Sequence, residues 1–235
     1  MEKLVIIPTY NERDNIASII QAIFTVAREF HVLVIDDGSP DGTAEIVRQL
    51  MQQHPEILFL EERKGKLGLG TAYIHGFKWA LERGYAYICE MDADFSHNPA
   101  DLERLVDACK DGADLAVGSR YVKGGAVKNW PGSRIFLSKG ASLYTRILLG
   151  MPVMDPTAGF VCYKAEVLRK IQLDKIQFVG YAFQIEMKYA AWKLHFKIKE
   201  VPITFVDRKF GVSKMNQGII REGILGVINL RRARY

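Results

Sequence analysis

The chain has 235 residues, 49% hydrophobic and 25% charged, a composition that excludes disordered, fibrous and polytopic membrane proteins and suits one domain with appendages. Its net charge of +5 suggests an anionic partner without choosing among nucleic acid, anionic lipid and phosphorylated small molecules. Three cysteines, Cys89, Cys109 and Cys162, are widely spaced and show no CxxC or His pairing, which fits a reducing compartment. The sequence has neither a signal-peptide pattern nor a run of roughly 18 apolar residues, so any membrane contact is expected to be peripheral.

Along the chain, short β-rich runs at residues 4–7, 31–35, 57–60, 85–91 and 115–117 alternate with amphipathic helical patterns. Near-continuous apolar runs such as Val32-Leu33-Val34-Ile35 predict a mostly parallel sheet covered by helices on both faces. In such sheets ligands sit beyond the carboxyl ends of the strands. The polar clusters fall there: Pro8-Thr9-Tyr10-Asn11-Glu12, Asp36-Asp37-Gly38-Ser39, Asp92-Ala93-Asp94 and Gly118-Ser119-Arg120.

After a loop at Lys123-Gly124-Gly125, an amphipathic run spans 134–149. A strand pair is expected at 160–163 and 197–205, with a helix over 183–192 between them. The tail carries Ile219, Ile220, Ile224, Leu225, Ile228 and Leu230 at helical spacing, then Arg231, Arg232 and Arg234.

The chemistry begins with Asp92 and Asp94. Two carboxylates one residue apart at a strand end point to one side and can hold a divalent metal that bridges a diphosphate, with Asp94 the direct ligand. Breaking a sugar–diphosphate bond builds negative charge on the leaving group, which such a metal offsets. The plainer alternative is a solvated acidic turn. Asp37 has the geometry for a base or ribose contact, while Asp36-Asp37-Gly38-Ser39 also reads as a turn with Ser39 capping the next helix. Pro8, Tyr10 and Glu12 offer an aromatic surface and an acceptor alongside.

The glycines of Lys64-Gly65-Lys66-Leu67-Gly68-Leu69-Gly70 lack the GxxxxGK[ST] and complete Rossmann spacings, so ATP-loop and NAD readings are rejected in favour of tight loop-to-helix packing. Lys64 or Lys66 can still approach a nucleotide. Arg120, Arg134, Arg208 and Lys214 sit in or beside polar or glycine-bearing segments where guanidinium forks grip phosphate; taken singly, each also reads as an ordinary surface cation.

Together these motifs, with Asp92-Ala93-Asp94-Phe95-Ser96-His97, Gly118-Ser119-Arg120-Tyr121, Asp155-Pro156-Thr157-Ala158-Gly159-Phe160, Val201-Pro202-Ile203 and Asp207-Arg208 through Ser213-Lys214, make the chain resemble the dolichyl-phosphate mannose synthases, family-2 glycosyltransferases of the GT-A (Rossmann-like) α/β fold. The resemblance implies mannose transfer from GDP-mannose to a dolichyl or undecaprenyl phosphate with inversion. It maps Pro8, Tyr10, Glu12, Ile35, Asp37 and Ala93 onto nucleotide-sugar contacts, and Asp92, Asp94 and Ser96 onto a Mg²⁺ or Mn²⁺ site. Arg120, Arg134, Ser138, Arg208 and Lys214 map onto the phosphate-gripping set and its loop. Val212 departs from the glutamate often found before that Ser-Lys.

A transferase domain over 1–217 and a C-terminal amphipathic interfacial helix over 218–235 follow as expectations. The protein is then expected in the cytoplasm, on the inner face of the membrane, with a membrane-anchoring subunit as a candidate partner and nucleic acid excluded. A lipid monophosphate has a second pKa of roughly 6, so its oxygen attacks without a protein base. Rival readings are a UDP-glucose or other donor, a nucleotidyltransferase, which the missing triphosphate loop argues against, and a non-catalytic nucleotide-sugar-binding subunit.

Overall fold

The computed structural model describes residues 2–27, 29–180, 182–207 and 226–231. Strands β1 (Lys3–Thr9), β2 (Phe30–Asp36), β3 (Leu58–Glu62), β4 (Tyr87–Glu90) and β5 (Leu115–Ser119) match the five apolar runs. With β7 (Val161–Lys164) and β8 (Ile198–Pro202) they form one seven-stranded sheet in the order β3-β2-β1-β4-β7-β5-β8. All pairings are parallel except those of β7, which runs antiparallel to both β4 and β5.

Side-chain alternation along the strands builds two cores. Val5, Ile7, Val32 and Val34 face α1 (Arg13–Val26), α2 (Thr43–Gln53) and α4 (Asp101–Lys110). Leu4, Ile6, Leu33 and Ile35 face α3 (Leu69–Glu82), α6 (Ala165–Lys170) and α7 (Phe183–Lys193). A strand buried on both faces gains apolar contact at every residue, which is why these runs are continuous rather than alternating.

The second half departs from the sequence expectations in three places. The expected strand at 197–205 breaks at Ile203 into β8 and β9 (Thr204–Val206), and β9 leaves the sheet to pair with β6 (Ala126–Lys128) in a two-stranded ribbon. The expected partnership of 160–163 with 197–205 does not form, because β5 lies between β7 and β8. Ser39 does not cap α2: its hydroxyl and amide both donate to Asp36, at 2.6 and 2.8 Å, and that nearer carboxylate holds the turn.

The glycines of the 64–70 segment do serve close packing. A Cβ on Gly70 would lie 2.7 Å from both the Phe178 carbonyl and the Phe183 ring. The three cysteines are buried and free.

Helix α5 (Gly132–Leu149) follows the ribbon. It exposes Phe136, Leu137, Leu143 and Ile147 while burying Ser142, Thr145 and Leu149. Residues 226–230 are helical and pack Val227 and Leu230 against Leu149, Met151, Ile185 and Tyr189, leaving Ile228 exposed. No helix of the described residues is long and apolar enough to cross a membrane. Ile219, Ile220, Ile224, Leu225, Arg232 and Arg234 lie outside the described residues.

Candidate active site

The carboxyl ends of β1, β2, β4 and β5 open onto one cavity of about 580 Å³. Pro8, Tyr10, Glu12, Asp37, Asp92, Ala93, Asp94, Arg120 and Arg134 line it, and the strand order β2-β1-β4-β7-β5 sets Asp37, Pro8, the acidic segment and Arg120 side by side along the sheet edge. Nine residues singled out from the sequence thus share one space.

At the nucleotide end, Asp37 is buried and receives Arg63 Nε at 2.6 Å, while the Leu67 amide approaches its other oxygen at 3.3 Å. Asn11 has φ 59°, a left-handed value tolerated by asparagine, which turns the chain from β1 into α1. Of the two lysines in the glycine segment, Lys66 reaches the cavity wall and sits 4.9 Å from the Tyr10 ring centroid. Glu12 accepts from Asn15 Nδ2 at 2.9 Å.

In the middle, the Ser96 amide donates to Asp94 Oδ1 at 3.0 Å. Phe95 between them has φ 60°, a strained conformation for a bulky residue of the kind found at functional turns. No group of three His, Cys, Asp or Glu side chains able to hold a metal occurs among the described residues. The pair Asp92 and Asp94 nevertheless suits an ion held by two carboxylates and otherwise by substrate phosphate oxygens and water.

At the cationic end, Arg120 is buried and gripped by Asp155: its amide, Nε and Nη2 donate to that carboxylate at 3.0, 2.7 and 2.7 Å, and Nη2 also reaches Thr157 at 2.8 Å. The rings of Tyr121, Trp130 and Phe205 surround its guanidinium at 5.1, 5.6 and 5.4 Å. Arg134 is more open, stacks 3.9 Å from the Trp130 centroid and pairs with Asp207 at 3.0 Å. Both arginines thus have a carboxylate partner, and Arg134 is the more exposed of the two.

Three sequence-mapped residues are not on the wall. Ile35 is fully buried in the core of β2, where its side chain packs against α3 and α7. Ser96 is buried with Oγ lacking a hydrogen-bond partner, and its short side chain does not reach the cavity. Ser138 accepts from the Tyr121 hydroxyl at 2.7 Å behind the Arg120 wall. Arg208, Val212 and Lys214 lie outside the described residues.

Sequence reasoning missed the polar chain under the floor. Glu90, Gln184 and Lys188 are almost wholly buried, and Gln184 reaches the cavity. Burial raises the Glu90 carboxyl and lowers the Lys188 ammonium, each shift partly offset by the other's charge. A signal was present: a carboxylate inside the apolar run Ile88-Cys89-Glu90-Met91, and Gln184 and Lys188 four apart on one face of a helix. Trp130, which carries the stacked Arg134, gave no periodic signal in its loop.

Comparison with known proteins gives the family and the fold. The model of glycosyl transferase family 2 matches residues 4–172. The chain is 50% identical over 224 residues to polyprenol monophosphomannose synthase of Mycolicibacterium smegmatis, covering 95% of this chain and 84% of that protein. It is 47% identical over 227 residues to undecaprenyl-phosphate mannosyltransferase of Micrococcus luteus, covering 97% and 93%. Among solved structures, a Pyrobaculum calidifontis mannosyltransferase in complex with GDP-Man and Mn²⁺ superposes with TM-score 0.63 at 18% identity, over 98% of this chain and 62% of that one. Glucosyl-3-phosphoglycerate synthase of Mycobacterium tuberculosis, bound to Mn²⁺, UDP and phosphoglyceric acid, gives 0.69 at 18% identity, over 98% and 78%. The sheet order, the acidic pair at the end of β4 and these relatives lead to one statement: the chain belongs to glycosyl transferase family 2, with the GT-A-like fold.

Proposed function

We propose that this protein transfers mannose from GDP-mannose to the phosphate of a polyisoprenoid, with inversion at the anomeric carbon. The observation that carries the reading is that the residues ending β2 and β1, the pair Asp92 and Asp94 after β4, and the arginines around Trp130 share one cavity along the sheet edge. The two relatives at about half identity, named for polyprenol and undecaprenyl phosphate, support the acceptor, and the neighbour holding GDP-Man is consistent with the donor.

In this reading Tyr10, Lys66 and Asp37 hold the nucleoside end. Asp92 and Asp94 would hold Mg²⁺ or Mn²⁺, which offsets the charge gained by the departing diphosphate. Arg134, stacked and paired but accessible, receives the acceptor phosphate, while Arg120, held by Asp155, fixes that end of the wall in place. Since the acceptor is already ionised, the protein's work is to bring two phosphate-bearing substrates together against their repulsion. That agrees with a wall of cations and an acidic pair rather than a nucleophile–base arrangement.

The lipid tail has a route. Helix α5 begins beside Arg134 and turns Phe136 (82% exposed) and Ile147 (74%) outward, a face suited to the acyl boundary of a bilayer. We place the protein peripherally on the cytoplasmic leaflet by this helix; in the tail, Val227 and Leu230 pack against the transferase core, which leaves Ile228 as the apolar side chain of 226–230 able to face the bilayer.

The test is a panel of radiolabelled sugar nucleotides mixed with purified protein, undecaprenyl phosphate and Mg²⁺ or Mn²⁺, following label into the organic phase. Label from GDP-mannose alone is expected. Label from UDP-glucose instead would replace the donor assignment.

A further inference from the structure

Gln184, in the first turn of α7, lines the cavity and is 4% exposed. Its Nε2 donates to Glu90 Oε2 at 2.8 Å, and its Oε1 accepts from Lys188 Nζ at 3.1 Å. The Lys188 contact fixes the carboxamide, because an ammonium only donates and, turned over, the NH₂ would face it. Lys188 is held in turn, because it also donates to the carbonyls of Gln184 and Ala158 at 2.9 and 2.6 Å.

A carboxamide nitrogen has two hydrogens. Glu90 takes one, and no acceptor among the described residues takes the other. Gly159, also on the wall, leaves room over that nitrogen: a Cβ there would meet one neighbour within 4 Å, Gln184 Nε2 at 3.8 Å. Gln184 and Gly159 line the same cavity as Asp92, Asp94 and Arg120, the space that a hexose on a diphosphate held at the acidic pair would enter.

We propose that Gln184 is a specificity-determining residue that presents one fixed N–H donor to a hydroxyl oxygen of the donor hexose, with Glu90 and Lys188 as its positioning residues. The inference rests on the sugar-transfer reading above. A donor lacking that hydroxyl would leave a buried N–H without an acceptor, and a site built to bond a hydroxyl discriminates most strongly in that direction.

The experiment measures kcat/KM for GDP-mannose and for its monodeoxy analogues in the wild type, Gly159→Ala and Gln184→Met. The wild type should use one analogue about 10- to 100-fold less well than GDP-mannose, as expected for one lost buried hydrogen bond. Gly159→Ala keeps the Glu90–Gln184–Lys188 chain and covers its N–H with a methyl group. It should lose a similar factor on GDP-mannose, use that analogue and the parent equally, and bind GDP unchanged. Gln184→Met should do the same, and should it fail to fold, Gly159→Ala decides alone. Undiminished preference for GDP-mannose over every analogue in Gly159→Ala overturns the assignment to Gln184. Absence of any wild-type transfer from GDP-mannose overturns the sugar-transfer reading as well, so the two failures are told apart.

Discussion

At the residue scale, burial decides what each ionisable group can do. His97 is enclosed between the Phe160 and Phe205 rings, at centroid distances of 4.8 and 5.3 Å. Burial lowers its imidazole from 6.5 to about 4, partly opposed by the charge of Asp94. With the folded value depressed, the unfolded chain takes up the proton first. Stability from this residue is complete above about pH 6.5 and falls as the pH drops toward 4, by roughly 3 kcal/mol in total at 1.36 kcal/mol per pKa unit. Urea unfolding of the wild type and His97→Phe at pH 7 and 4.5 checks this: the wild type should lose about 2–3 kcal/mol more than the variant. Equal losses would show that the imidazole does not titrate on unfolding.

Asp155 is fully buried and accepts three hydrogen bonds from Arg120. Removing its carboxylate leaves a buried guanidinium without its counterion, so Asp155→Ala should destabilise the protein by about 3–5 kcal/mol. The midpoint and slope of a urea titration measure it, and a change under 1 kcal/mol would show that Arg120 is solvated rather than locked. Asp94→Ala is different in kind, since the side chain faces the cavity. It should leave the far-UV spectrum unchanged and reduce transfer by at least about 10²-fold; activity within a few-fold of wild type would remove Asp94 from the metal site.

At the element scale, helix α5 carries the prediction about membranes. Phe136→Asp with Ile147→Asp changes two side chains that are 82% and 74% exposed, so folding stability should hold within about 0.5 kcal/mol. Burial of each apolar side chain in a bilayer contributes about 1.5–3 kcal/mol, and flotation with anionic vesicles should therefore drop at least about tenfold. Unaltered flotation would move the membrane contact off this face.

Elements also show what could be read from the sequence. β1 to β5 were legible because a strand covered on both faces must be apolar throughout, and the polar residues that interrupt it mark its end. The ribbon of β6 and β9 was not, since two three-residue strands are shorter than the period needed to distinguish strand from loop. The break at Ile203 falls directly after Pro202, the last residue of β8, which has no amide to carry the ladder further, while Ile203 itself stays in the core beside Val201. The acidic pair and Arg134 were legible from their places at strand and loop ends. The locking of Arg120 by Asp155, 35 residues away, was not, because nothing local requires it. Ile35 shows the converse: a motif position adjacent to the site whose side chain the pleat directs into the core.

For the whole molecule, the wall of one cavity accounts for a reaction between two anionic substrates. The net charge of +5 left the anion open, and the proposed reading of the cavity assigns a diphosphate to Asp92 and Asp94 and a second phosphate to Arg134, with exposed apolar residues of α5 continuing from that end. A single displacement follows, because the ionised acceptor attacks directly and no protein group need carry the sugar. The most direct measurement is the structure of the lipid product made by purified protein from GDP-mannose and undecaprenyl phosphate, by mass spectrometry and anomeric NMR couplings. The account predicts a β-linked mannosyl phosphate lipid formed with one GDP per molecule; an α-linked product, or GDP release with no mannolipid, would contradict it.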